Sequence, residues 1–468
     1  MSDYDAIIIG AGMSGLAAGI RLAMFDKRVC VLERHYVWGG LNSFYNYKGH
    51  QFDVGLHAMT NYAPKGARGL PLTRLLKQLR IRWDELDLHQ QSFSRVSFPS
   101  AQLKFSNDFE LLRSEVAAAF PSQVDGFDKL TTQVTDFNEL DLNAPQQDAR
   151  KIVESCISEP LLVDMIFCPL MFYGSARENE MDWDQFVVMF KSIYQEGFAR
   201  PEAGVRHILK LLTSRFRNAG GEMRLNAGVA KILTEDGKAN GVELEDGSQL
   251  TATTILSSAG LVETGKLCGG DVIEAAPVGK LSFTETINVL DKPAKELGIE
   301  ETITFFSNND KFNYACPEEA VDTSSGVICM PGNFDLPNEP TDHLIRITNI
   351  ANFEQWNKLD RDAGVSSAPH DYDSAKQYWY NQSYNKVLEH IPDFRPHTTL
   401  VDMFTPITVK RFTGHERGAV YGSPTKLRTG ETGVEGVYIM GTDQGFLGII
   451  GAALSGISMA NRWVLQAG

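Results

Sequence analysis

Residues 4–40 read YDAIIIGAGMSGLAAGIRLAMFDKRVCVLERHYVWGG, and this stretch decides the fold. The apolar run Ala6 to Ile9 predicts a buried strand. Gly10-x-Gly12-x-x-Gly15 predicts a tight turn into a helix, and a second apolar run ends at Glu33. Each glycine has its own physical task. Gly10 permits the turn, Gly12 keeps the backbone bare where a pyrophosphate approaches, and Gly15 lets the helix lie close to the strand. The helix start offers unpaired N–H groups and positive dipole potential to phosphate, with Ser14 inside the same loop. Glu33 stands about 20 residues beyond the glycines, where a carboxylate accepts the hydroxyls of an adenosine ribose. The same charge repels a 2′-phosphate, which argues against NADP. The expected fold class is therefore α/β, with a Rossmann-type dinucleotide-binding domain built on a parallel sheet.

Composition excludes several other classes. The chain has 468 residues, 43% hydrophobic and 22% charged, enough for two or three globular domains. Its net charge of −15, without a basic tail, argues against a nucleic-acid partner. Cys30, Cys156, Cys168, Cys268, Cys316 and Cys329 form no CxxC pair and read as reduced thiols. No run of 18 apolar residues exists, and the first strand leaves no room for a signal peptide. The expectation is a cytoplasmic protein, either free or held peripherally at a membrane.

Farther along, the segment 70–200 carries a mainly helical pattern with few strand signals. A helix over Val205–Asn218 stops at Gly220-Gly221, and strand-like runs follow at 222–226, 228–234, 240–245 and 250–258. LSFTETINVL (281–290) and TITFFSN (302–308) alternate like strands with one buried face, and 371–390 is helical. Near the end, GVYIMGTDQGFLGIIGAALSGISMAN (436–461) predicts a buried strand, a glycine-rich turn and a helix of small residues.

The pair Gly39-Gly40 just after the acid resembles the extended fingerprint of two-domain flavin oxidoreductases, the superfamily of the flavin amine oxidases. Three further stretches narrow the resemblance. FDVGLHAMTNY (52–62), PEAGVRHILKLL (201–212) and TPITVKRFTGHERGAVYG (405–422) are similar to segments of phytoene desaturases, carotenoid isomerases and retinol saturases. The similarity runs from end to end. It implies two discontinuous domains: a glutathione reductase-like FAD domain with a small β-meander, expected over 1–69, 201–276 and 405–468, and an α+β substrate domain, expected over 70–200 and 277–404. It also implies FAD as cofactor and a hydrophobic isoprenoid polyene as substrate, handled by desaturation, saturation or cis–trans isomerisation. Two departures stand out: Leu41 replaces the usual arginine after the glycine pair, and GFLGIIG lacks the proline-bearing turn of phytoene desaturases.

By the same resemblance, Arg34, Leu41, Asn42, Gly55, Leu56 and His57 join the cofactor site, and Val229 meets the adenine through its backbone. Gly441 and Asp443 would serve the ribityl and phosphate region. Backbone N–H groups near Ile450, Gly451 and Ala452 would face the flavin's pyrimidine edge, where charge gathers on reduction.

No Ser–His–Asp pattern, paired carboxylates or HExxH occurs, so no catalytic residue is assigned. His57 reads either as a proton donor and acceptor or as a structural histidine. Lys280 begins a strand that borders the cavity in this fold; amine oxidases hold a lysine near the flavin, and a surface lysine is the alternative. Tyr421, Phe412 and Arg411 are further cavity candidates. LPLTRLLKQLRIRW (70–83) sets leucines on one helical face and Arg74, Lys77 and Arg80 away from it. Such a helix suits a membrane interface or an ordinary core-facing surface position. LLVDMIFCPLMF (161–172) is too short to span a bilayer and suits a substrate entrance or the core. Two rivals follow from the fold: a flavin amine oxidase, and a prenyl-binding escort module that has lost its flavin.

Overall fold

The computed structural model describes residues 2–55, 57–138, 146–270, 276–359 and 371–466. Leu56 lies outside them. Five parallel strands form the first sheet, in the order Val437–Ile439, Ile255–Ser257, Ala6–Ile9, Val29–Leu32 and Glu222–Arg224. Ala6–Ile9 is central, pairing with Val29–Leu32 on one edge and Ile255–Ser257 on the other. That position explains its unbroken apolar sequence, because both faces are covered. A three-stranded antiparallel meander follows the second strand pair: Val229–Glu235, Lys238–Leu244 and Gln249–Thr251. Its first turn has positive φ at both Asp236 (50°) and Gly237 (78°), as a two-residue hairpin turn requires.

The first helix, Met13–Ala23, and the last, Gly448–Ala460, pack against each other beside this sheet. The approach is very close: a Cβ on Gly456 would lie 2.0 Å from the Ser14 carbonyl oxygen. The two ends of the chain therefore meet at the glycine turn. The helix Pro71–Leu79 packs there too, with Leu72, Leu75, Leu76 and Leu79 buried beside Ile450 and Ile457. Its apolar face is core, and only Arg74, Lys77 and Arg80 face water. This corrects the membrane-interface expectation for that helix.

A second sheet has seven strands, in the order Thr398–Phe404, Ser282–Leu290, His343–Ala351, Ser325–Cys329, Ile303–Ser307, Ser94–Ser97 and Gln102–Phe105. All neighbours are antiparallel except Ile303–Ser307 with Ser94–Ser97. The strands at 94–105 interrupt the mainly helical pattern expected for 70–200. Each has only four residues, too few for a periodic signal to stand out.

Ser282–Leu290 is buried at every position, not on one face alone. Helices cover both faces of this sheet. Phe105, Phe283, Phe305 and Val327 pack toward the helices Pro160–Gly174 and Trp183–Phe190. Phe306, Ile328, Ile345 and Ile347 turn the other way, toward Asp371–Val387 with its Tyr384 and Val387. Alternate side chains on one strand thus serve two cores. Among the described residues no helix is long and apolar enough to cross a membrane.

Candidate functional site

A cavity of about 480 Å³ lies between the glycine turns of the parallel sheet and the inward face of the seven-stranded sheet. One end is backbone. Gly10 holds φ +96°, and a Cβ there would strike the Ser258 hydroxyl at 2.4 Å. On Gly15 a Cβ would lie 2.0 Å from the Gly10 carbonyl oxygen, so the helix closes on the turn only because that position is bare. Gly12 differs: nothing stands within 4 Å of its would-be Cβ, and the residue lines the cavity. Its missing side chain leaves room for a ligand, not for packing. Gly39 donates its N–H to the Ala11 carbonyl at 2.9 Å. That bond lays the paired glycines over the turn, with Gly40 at φ +57° facing Gly12.

Glu33 is buried at the end of its strand and lines the cavity. Its two carboxylate oxygens accept from the backbone N–H groups of Ala11 and His35, each at 2.9 Å. Those bonds fix the carboxylate, and each oxygen keeps a lone pair for a ribose hydroxyl. Arg34 lines the same region and donates to the Arg411 carbonyl at 2.7 Å, tying it to the helix Pro406–Thr413. Ser14, Leu41, Asn42, Gly55, His57, Val229, Gly441 and Ala452 all line the cavity as well. Gly55 sits where a Cβ would strike the Leu41 carbonyl oxygen at 2.3 Å. The Leu41 carbonyl thus packs against the bare face of Gly55.

Three expectations need correction. Asp443 is not on the cavity wall. Its oxygens accept from Leu261 N–H at 2.7 Å, Ser423 N–H at 2.9 Å and Lys426 Nζ at 3.1 Å. A buried carboxylate seeks its partners within reach, and here they are structural: Asp443 joins three loops behind the wall. The last helix begins earlier than expected, at Gly448. Gly448, Ile449 and Ala452 therefore line the cavity, while Ile450 and Gly451 do not. Leu447 caps that helix without a side-chain hydrogen bond, so its first N–H groups remain for other acceptors. Lys280, finally, is 59% exposed, bonds to Glu178 at 3.2 Å and is absent from the cavity wall. Lys280 is therefore not placed for the cavity role that the resemblance implied for it.

The other end of the cavity is a chamber of side chains: Phe172, Tyr173, Phe283, Val327, Phe404 and Tyr421. Phe172 and Tyr173 come from the apolar helix Pro160–Gly174, which is core along most of its length. Tyr421 donates to the Phe172 carbonyl. Phe412 lines the cavity but is also 44% exposed, at its outer edge beside His35.

One polar cluster interrupts this chamber, and the sequence reading missed most of it. Glu285, from the strand Ser282–Leu290, is buried beside Arg346 of the neighbouring strand, whose Nε and Nη2 both bind Oε1. Oε2 lies 3.2 Å from His57 Nε2 and 3.4 Å from the Thr348 hydroxyl. Burial raises the Glu285 carboxyl, but Arg346 and His57 outweigh it and hold the group at about 2. Glu285 is thus a fixed anion with its countercharge buried alongside. His57 was singled out alone; its partners come from strands some 230 to 290 positions away. The available signal was a lone acid in LSFTETINVL and a lone arginine in HLIRITNI, each amid residues suited to a buried strand.

Sheet order, bare glycines and a buried acid at the end of the second strand together define a Rossmann-type nucleotide-binding fold. Residues 8–79 match the NAD(P)-binding Rossmann-like domain family. The chain is also similar over nearly its whole length to a prolycopene isomerase of an Oncidium hybrid cultivar, at 24% identity over 98% of this chain and 84% of that protein. It is similar to an all-trans-retinol 13,14-reductase of Danio rerio, at 23% identity over 98% and 86%. Among solved structures, an oxidoreductase from Methanosarcina mazei superposes with a TM-score of 0.68 at 19% identity, covering 98% of this chain and 100% of its own. The resemblance seen in the motifs therefore extends over 98% of the chain.

Proposed function

We propose that this protein is an FAD-dependent oxidoreductase acting on a hydrophobic isoprenoid polyene. The observation that carries the reading is the continuity of one cavity, from the bare glycines at Gly12 and Gly40 to the aromatic chamber at Phe172 and Phe283. A dinucleotide at the first end and a lipid at the second would share it. End-to-end similarity to an isomerase and a reductase of polyenes supports the same reading.

The residues present fit FAD. The open space at Gly12 accepts a pyrophosphate, Glu33 the adenosine ribose, and Val229 the adenine edge, while the uncapped first turn of Gly448–Ala460 offers N–H groups to an electron-rich ring edge. When bound, the flavin supplies hydride exchange with a carbon–carbon bond of the substrate. The chain itself orients and encloses. A polyene has no charge to grip, so the aromatic walls hold it by apolar contact and exclude water. Glu285 and Arg346 cancel each other's charge, which keeps the chamber net neutral. Desaturation, saturation and isomerisation all suit this arrangement.

Purified protein loaded with FAD should be yellow and should convert a liposomal polyene. Product chromatography after incubation in oxidised and reduced states assigns the chemistry: added double bonds, lost double bonds or isomers alone. A colourless protein that refuses FAD sinks the proposal.

A further inference from the structure

The sequence leaves His57 as either a proton carrier or a structural histidine, and its surroundings decide between them. Its side chain lies on the cavity wall with 12% of its surface open. Three residues on, the Thr60 hydroxyl sits 3.4 Å from where a Gly448 Cβ would stand. The segment therefore borders the uncapped first turn of the last helix. His57 Nε2 is 3.2 Å from Glu285 Oε2 and 3.2 Å from the Thr348 hydroxyl. Despite its burial, Glu285 is held ionised by Arg346 and His57. An ionised carboxylate only accepts, so Nε2 carries the hydrogen and donates it. Nδ1 is then the nitrogen that gains or gives up a proton, and no described residue hydrogen-bonds to it.

Making or removing a carbon–carbon double bond moves two hydrogens. Hydride exchange accounts for one with its electron pair, and the other must move as a proton at the neighbouring carbon. Hydride movement alone would leave an ionised carbon in an apolar chamber, at high cost. Other groups on the wall suit that proton poorly. Burial pushes the Tyr173 and Tyr421 phenols well up, and Tyr421 already donates to the Phe172 carbonyl. Glu285, held at about 2, has no proton to give. His415 also lines the cavity, but its Nδ1 pairs with the Ala419 carbonyl at 2.9 Å. Cys329 donates to the His57 carbonyl at 3.7 Å, and burial pushes its thiol up to about 12, so it stays neutral. Imidazole gives and takes a proton near neutral pH. An anion fixed behind it orients the ring and supports its charged form.

We propose that His57 is the proton-transfer residue of the polyene reaction, and that Glu285, itself held by Arg346, is its positioning residue. In the reducing direction hydride adds to one carbon and the Nδ1 proton to the next; the π bond is lost and His57 becomes neutral. The oxidising direction reverses each change. This rests on the FAD and polyene reading above and adds the residue that handles the second hydrogen.

Two measurements on FAD-loaded protein test it. By NMR of ¹⁵N-histidine-labelled protein, the neutral form of His57 should carry its hydrogen on Nε2, its signal being assigned by loss in His57→Gln. In Glu285→Gln, Arg346 keeps the amide oxygen and the amide N–H group faces Nε2, so the hydrogen should move to Nδ1. The second measurement is rapid mixing with an acyclic polyene hydrocarbon in phosphatidylcholine liposomes, in the flavin redox state that the native chain uses. His57→Gln should lose at least about 100-fold in single-turnover rate, with its polyene Kd within about threefold of native. Should Glu285→Gln fail a thermal-melt check, the native tautomer and His57→Gln still decide. A native His57 with its hydrogen on Nδ1 overturns the proposal while the oxidoreductase reading stands. So does a His57→Gln rate near native, or a loss confined to Kd. If the native chain converts no polyene in either redox state, the proposal and the polyene reading fall together.

Discussion

The two ends of the cavity are built in opposite ways. The dinucleotide end is backbone, made by glycines whose spacing along the chain is fixed within residues 10–40. The lipid end is side chain: Phe283 and Glu285 come from one strand, and Phe172, Thr348 and Tyr421 from three other stretches of the chain. The glycines tolerate little change in shape and bring no charge of their own, and the one buried carboxylate beside them, Glu33, is held by the Ala11 and His35 N–H groups. The side-chain end concentrates two full charges in a buried place, so its stability depends on their staying together. Changes at the two ends should therefore fail differently: one in ligand retention, the other in folding.

The largest effect is expected at the lipid end. Arg346→Met leaves Glu285 as an uncompensated buried anion and should cost about 3–5 kcal/mol in urea unfolding. Adding Glu285→Leu should recover most of that loss, because the buried charge is gone. Recovery that fails would mean the pair supports the fold by packing and not by neutrality.

The same pair sets an acid limit. Glu285 titrates at about 2 in the folded chain against an ordinary 4.5. The unfolded chain therefore takes up the proton first as pH falls. Its stabilisation is complete above about pH 4.5 and is lost as the pH drops toward 2. Urea midpoints at pH 6, 4 and 3 should fall for the native chain and fall less for the Glu285→Leu, Arg346→Met double variant.

At the dinucleotide end, two glycines separate retention from folding. Gly12→Val enters open space and should leave the melting temperature of the apoprotein near that of the native chain, while costing about 1–3 kcal/mol of FAD affinity by overlap with the pyrophosphate. Gly15→Ala strikes the Gly10 carbonyl and should lower the apoprotein's own melting temperature as well. Equal melting temperatures for the two variants would erase the distinction. The smallest effect belongs to Lys280→Ala, which removes one exposed ion pair and should change stability by less than about 0.5 kcal/mol. It should leave turnover unaltered.

Much of the dinucleotide end could be read before any coordinates. Gly10, Gly12, Gly15, Glu33, Gly39 and Gly40 act through local backbone conformation, and local conformation follows from local sequence. Asp443 shows where this reasoning stops. An acid after a terminal strand fits a cofactor contact, yet Leu261, Ser423 and Lys426 occupy it instead. The leucine face of Pro71–Leu79 likewise looked the same for membrane and core, and only the packing of the first and last helices against it decides.

By itself, the sequence determined the parallel-sheet nucleus, the glycine turn and the acid at the second strand's end, since each depends on φ, on absent side chains or on neighbours close along the chain. Only the tertiary structure decided that His57, Glu285, Arg346 and Thr348 meet on the wall of one cavity. The reason is physical. Whether a buried polar group is satisfied depends on atoms brought by other strands, and no spacing within one strand records which strands become its neighbours.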